Sequence, residues 1–204
     1  MARREYVARK TRPLVVICSE GKNSTAEKIY FSNFSNRNCR IKFCTGSSTD
    51  PVGMLEDFKT YIKNEELDFE EQCSKYLLID TDLSPKQIRG IETISKECEK
   101  LGIEIIISSP TFEIWYLMHF RSNKLKFNAS KEVKRALEEE IGGTYSETMN
   151  MYPSISSKLE SAIAIAKRVN SNSLKDCQNK YLSNPYSEVY KVIEKINEYK
   201  NMIE

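Results

Sequence analysis

The chain has no Cys-x-x-Cys pair and only one histidine, His119. Zinc and nuclease motifs that need two histidines are thereby excluded, and six cysteines without ligand spacing read as reduced thiols, those inside apolar runs such as VVICSE and IKFCTG as small buried hydrophobes, rather than a zinc knuckle or a disulfide scaffold. Seven glycines and six prolines are too few for a collagen-like or disordered chain. No apolar run approaches the roughly 20 residues of a membrane span. The opening MARREYVARKTRP has the basic flank of a signal peptide without its apolar stretch. Internal repeats and low-complexity tracts are also missing. These absences leave a soluble, cytoplasmic chain with no membrane partner as the expectation.

What is present is 204 residues, 40% hydrophobic and 29% charged, enough for one domain and one sizeable core. The net charge of +2 conceals an uneven distribution. Residues 1–42 carry ten Lys or Arg against three acids, and residues 43–150 carry thirteen against twenty. Five of the first ten cations lie in residues 1–12 (Arg3, Arg4, Arg9, Lys10, Arg12), an arm that either reaches a phosphate backbone or is a solvated terminus.

Strand and helix signals alternate over the next hundred residues. Leu14 to Ser19 is a β-branched run, and Ser24-Thr25-Ala26-Glu27 is a capping-box pattern opening a helix through Phe34. Arg40 to Thr45 reads as a second strand, and Asp50-Pro51 starts a helix reaching about Lys63. Tyr76 to Asp80 is a third strand, Ser84-Pro85 opens a helix that ends at Gly102, and Ile103 to Ser108 is a fourth. Thr111 then opens the segment FEIWYLMHF. Four apolar strands separated by helices predict a parallel α/β sheet over residues 13–120. Residues 121–204 read as a helical extension packed on that core, with helices over Ser130 to Ile141, Ser154 to Val169 and Asn184-Pro185 to Met202. Its cations, Lys158, Lys167, Arg168, Lys175 and Lys180, form no recognised nucleic-acid module and suit a solvated face or a partner surface.

In an open parallel sheet, ligands bind beyond the carboxyl ends of the strands. Glu20 follows the first strand, Asp80 and Asp82 end the third, and Glu113 follows the fourth. Gathered on one rim, such carboxylates repel one another unless a cation neutralises them, and hard oxygen donors suit Mg²⁺ or Mn²⁺. Each also has a plainer reading: Asp80 and Asp82 as turn or N-cap acids, and Glu113 as an acid favoured by the helix macrodipole. In Glu20-Gly21-Lys22-Asn23, glycine followed by a capped helix start at Ser24 presents backbone N–H groups to an anion, with Lys22 placed to meet a phosphate. His119 suits a helix-end or core position as well as a catalytic one.

The segments VVICSEGKNSTAEKIYF, LLIDTD, SSPTFEIWYLMHF and NPYSEVYKVIEKI together resemble the RloB-like family of bacterial proteins, whose core is similar to the Toprim fold. The resemblance implies a four-stranded parallel sheet with a metal-binding glutamate after the first strand, matched by Glu20, and a D-x-D after the third, matched by Asp80 and Asp82. Thr81 stands where such pairs often carry a basic residue, which removes a phosphate contact. Glu113 and His119 fall within the family's pattern and are second-tier catalytic candidates. Gly21, Lys22 and Ser24 are the phosphate-binding candidates.

The function implied is a metal-dependent nuclease, cleaving DNA or RNA with Mg²⁺ or Mn²⁺ as an effector of bacterial phage defence. The alternative is a non-catalytic Toprim-like regulatory or recognition subunit of an ATPase-containing complex. An ATPase partner and a homo-oligomer are both compatible with the sequence. A topoisomerase or primase would need further domains.

Overall fold

The computed structural model describes residues 12–21, 25–122 and 126–202. All of the basic arm except Arg12 lies outside these residues, as do Lys22 and Ser24. Five strands form one sheet in the order β2-β1-β3-β4-β5: β1 (Leu14–Cys18), β2 (Arg40–Phe43), β3 (Cys73–Asp80), β4 (Ile103–Ser109) and β5 (Tyr186–Ser187). The first four are parallel, with Leu14 opposite Arg40 on one side and Cys73 on the other. Every residue of β1 is buried, because both faces of the sheet are covered. Its alternation splits the core in two. Val15 and Ile17 pack with Tyr30, Phe31 and Trp115, whereas Leu14, Val16 and Cys18 pack with Met54, Leu55 and Phe58.

On the first face lies α1 (Ala26–Ser32), and on the second lie α2 (Pro51–Asn64) and α3 (Pro85–Lys100). Asp50 caps α2 by accepting the Gly53 N–H at 3.1 Å. Beyond α3, Gly102 takes the left-handed turn (φ 64°) that favours glycine. The chain steps outward from β1 to β2 and then crosses back to β3 on β1's other side. Strand order therefore reverses between β1 and β3, opening a crevice at their carboxyl ends. At the outer edge, Arg40 and Lys42 of β2 pair with Glu70 at 2.8 Å and Glu65 at 2.5 Å.

After β4 comes α4 (Glu113–Leu117), still within the core, and the extension then comprises α5 (Ser130–Ile141), α6 (Tyr152–Ile155), α7 (Leu159–Cys177) and α8 (Val189–Asn201). Val133, Leu137, Ile155, Ala166, Val192 and Ile196 join the same apolar cluster as Val15 and Tyr30. The architecture is thus mixed α/β, with a mostly parallel sheet flanked by helices. All six thiols are free. Among the described residues no helix is long and apolar enough to cross a membrane.

Two local expectations are revised. The helix expected over Ser154 to Val169 is a short turn, α6, followed by the longer α7 ending at Cys177. The helix expected from Asn184-Pro185 begins only at Val189, because the residues before it add an antiparallel fifth strand to β4. Side chains hold that strand. The Asn170 amide donates to the Ser187 carbonyl at 2.7 Å and accepts the Ser187 N–H at 3.0 Å, as a neighbouring strand would. Buried Glu188 accepts the Ile107 N–H at 3.2 Å, the Lys191 ammonium at 2.8 Å and the Lys180 ammonium at 3.2 Å.

Replacing Glu188 with alanine strands a buried backbone donor and removes the acceptor for two cations. Glu188→Ala should destabilise the fold by about 2–3 kcal/mol in urea titrations, whereas Lys191→Ala, at a partly exposed site, should cost less than about 1 kcal/mol.

Candidate functional site: an acidic pocket at the strand-order reversal

A cavity of about 310 Å³ opens at the carboxyl ends of β1 and β3. Six carboxylates line it, from Glu20, Glu27, Asp80, Asp82, Glu113 and Glu147, together with the ammonium of Lys134. After β1 the chain turns at Gly21, whose φ of 81° favours glycine and whose absent Cβ would lie 3.2 Å from the Thr25 methyl. Lys28 donates to the Gly21 carbonyl at 2.8 Å, fixing the turn that presents Glu20. Glu27 enters from the first turn of α1.

At the end of β3, Asp80 Oδ2 accepts the Thr111 hydroxyl at 2.8 Å and the Phe112 N–H at 3.1 Å. The same Thr111 oxygen lies 2.7 Å from Glu113 Oε2. One hydroxyl carries one hydrogen, so both contacts are satisfied together only when one carboxyl bears a proton. Asp82 and Leu83 follow with φ of 48° and 55°, a left-handed pair that side chains rarely adopt. The turn is secured by the Asp82 N–H to the Pro110 carbonyl (2.9 Å) and by the Ser130 hydroxyl to Asp82 Oδ1 (2.7 Å). Thr81, between the two aspartates, is buried, and its hydroxyl donates to the Ser109 oxygen at 2.9 Å. Its side chain belongs to the interior, away from any phosphate.

Burial, then the charges of Glu27 and Glu113, holds Asp80 well above the usual carboxylate range. Burial, with Glu113 and Glu20 adding repulsion, lifts Glu27 from 4.5 to about 7. Glu20 is raised by burial, then by Asp82 and Glu147. For Lys134, burial acts downward, but the bond to Glu147 and the charges of Glu113 and Asp80 outweigh it and keep the ammonium above its ordinary pKa. The pocket therefore holds protons near neutrality and has more negative charge than one lysine offsets.

Glu20, Gly21, Asp80, Asp82 and Glu113 all line this cavity, as their strand-end positions implied. His119 stands apart from it. Its Nδ1 lies 2.9 Å from the Trp115 carbonyl, its ring packs edge-on to the Trp115 ring, and burial pulls its pKa to about 4, so the imidazole is neutral at pH 7. Sequence reasoning passed over Glu27, Lys134, Tyr145 and Glu147. Tyr145 donates to Glu113 Oε1 at 3.1 Å, and Lys134 bonds Glu147 and lies 3.6 Å from Glu113. Among the described residues, no three His, Cys, Asp or Glu side chains form a ready-made metal cage. The donors present are hard oxygens, the kind that suits Mg²⁺ or Mn²⁺ with retained waters rather than a softer metal.

Fold and pocket together define an open α/β protein with a carboxylate-lined crevice at the reversal of strand order. The model of the RloB-like protein family matches residues 15–196, from β1 into α8, and the chain belongs to that family. No curated protein and no solved structure matches it.

The raised pKa of Glu27 has a definite sign. The folded state keeps a proton that the unfolded chain releases above about 4.5, so the cation-free protein should lose stability as pH rises from 4.5 to about 7. Thermal denaturation in EDTA at pH 5 and pH 7.5 should show this fall. Glu27→Gln, which cannot ionise, should flatten the slope and raise the melting temperature at pH 7.5; an unaltered slope would mean that Glu27 does not hold the proton.

Proposed function

We propose that the pocket hydrolyses phosphodiester bonds of DNA or RNA with a bound divalent cation, on a Toprim-like core. The observation that carries the reading is the convergence of Glu20, Asp80 and Asp82 on one cavity at the strand-order reversal, where burial and neighbouring carboxylates raise the pKa of Glu20 and Asp80. Asp80, Asp82 and Glu20 are the residues that would hold Mg²⁺ or Mn²⁺. Such an ion supplies charge neutralisation at a phosphoryl oxygen and lowers the pKa of bound water.

The chain's own residues do the remainder. Thr111 and the Phe112 N–H orient Asp80, and Ser130 orients Asp82. Glu27, with a pKa of about 7, is matched to giving and taking a proton at neutral pH, so it is the general acid/base of the proposal beside Glu20. Lys22 and Ser24, between Glu20 and α1 in sequence, remain phosphate-binding candidates outside the described residues. The role we assign to this activity is that of an effector in bacterial phage defence, the setting associated with the RloB-like family.

The test is incubation of purified protein with single-stranded DNA, duplex DNA and total RNA in Mg²⁺, Mn²⁺ or EDTA. Cleavage should require the cation. Asp80→Asn and Glu20→Gln should each lower it by about 10²-fold or more while the variants stay folded. Mn²⁺ should raise the melting temperature of the parent but not of Asp80→Asn. Cleavage that survives both substitutions would overturn the reading. Absence of cleavage with every substrate would favour a regulatory subunit acting with an ATPase partner.

A further inference from the structure

We infer that Lys134 is the residue through which the pocket grips a backbone phosphate, and that Glu147 occupies the place of that phosphate until a nucleic acid displaces it. The inference rests on the pocket being a nucleic-acid site. It adds a contact and a built-in competitor that the hydrolytic reading does not require.

A cavity lined by six carboxylates repels a polyanion, so a backbone that enters it needs a cation to meet. Among the described residues lining the pocket, Lys134 alone offers one. Its backbone is fixed, since neighbouring Val133, Ala136 and Leu137 of α5 are buried in the apolar cluster. Its ammonium reaches back to the pocket and lies 3.6 Å from Glu113, whose side chain is 3% exposed and cannot move away. On its open side Lys134 bonds Glu147, whose side chain is 58% exposed.

The segment carrying Glu147 is held in place. Two residues earlier, the Tyr145 hydroxyl is bonded to Glu113 and its N–H to Glu138 Oε1 at 3.0 Å. The Met149 N–H closes the turn onto the Ser146 carbonyl at 2.8 Å. The fold thus pins an anion at the pocket mouth against its one described cation, although Glu147 also sits close enough to repel Glu20. A partly exposed ion pair contributes little to stability. A contact that is weak, exposed and set by a structured turn is one that an incoming phosphate oxygen can replace without unfolding anything.

The two residues then have opposite effects on affinity. Binding of a fluorescent single-stranded oligonucleotide, as DNA and as RNA, would be followed by anisotropy at fixed salt, in EDTA and in Ca²⁺. Lys134→Gln should weaken it by about tenfold, Lys134→Arg should largely restore it, and Glu147→Gln should tighten it several-fold. In the Lys134→Gln background, Glu147→Gln should tighten binding far less, because the cation it would release is gone and only its general repulsion is relieved.

Equal tightening by Glu147→Gln in both backgrounds would mean that Glu147 acts only through general repulsion, and would overturn the inference. So would unchanged affinity in Lys134→Gln, with melting temperatures confirming that the variants fold. The predicted binding pattern without cleavage in any metal would sink the hydrolytic reading and leave this one standing. Cleavage with affinity indifferent to Lys134 would do the reverse, and failure of the parent protein to bind either oligonucleotide would overturn both.

Discussion

Negative charge is crowded at the carboxyl ends of β1 and β3, and the fold must keep Glu27, Asp80 and Glu113 together although each would be better solvated apart. Burial, and after it their mutual repulsion, raises the pKa of Asp80 and Glu27. What holds them is not local to the pocket. Glu27 is carried by α1, whose Ala26, Tyr30 and Phe31 are locked into the sheet's first face. Glu113 is carried by α4, a five-residue helix buried on all sides. Apolar burial on one side of the sheet thus supplies the restraint that lets acids gather at its end.

The same face explains why the extension is part of the site rather than an accessory to it. Helix α5 packs against the sheet-bound aromatics and from there sends Ser130 to Asp82 and Lys134 towards Glu113. The turn after α5 returns Tyr145 to Glu113. Ser130 and Tyr145 of the extension donate to Asp82 and Glu113, carboxylates that follow β3 or sit on α4, so the tail tunes charges that the core has placed. A shift of α5 along its axis would alter Asp82 and Glu113 together.

The four parallel strands and the helices between them were legible because their apolar runs are short, nearly continuous and bounded by caps such as Asp50-Pro51. The acids at the strand ends were legible for the same reason: a carboxylate directly after a buried strand is conspicuous. Glu27 was hidden by an ordinary explanation, since an acid in the first turn of a helix needs no site to account for it. Lys134 and Glu147 were hidden because they sit on an amphipathic helix and in a polar loop, and no local pattern says which way such a helix faces. The fifth strand was illegible. It is two residues long, and its partner on one side is the Asn170 side chain, which no strand periodicity can reveal.

The two edges of the sheet are closed by different means. On β4, Glu188 takes both the N–H and the carbonyl of Ile107, and β5 covers Ser108 and Ser109 before Asn170 ends the ladder. On β2, the four-residue strand presents Arg40 and Lys42, each already engaged with a glutamate. Short, charged or side-chain-capped edges do not accept another strand readily. Strand addition is therefore disfavoured at β2 and at the carboxyl end of β4. A second copy approaching either edge meets a charged or side-chain-capped strand, so contact through the helices is favoured over contact through the sheet.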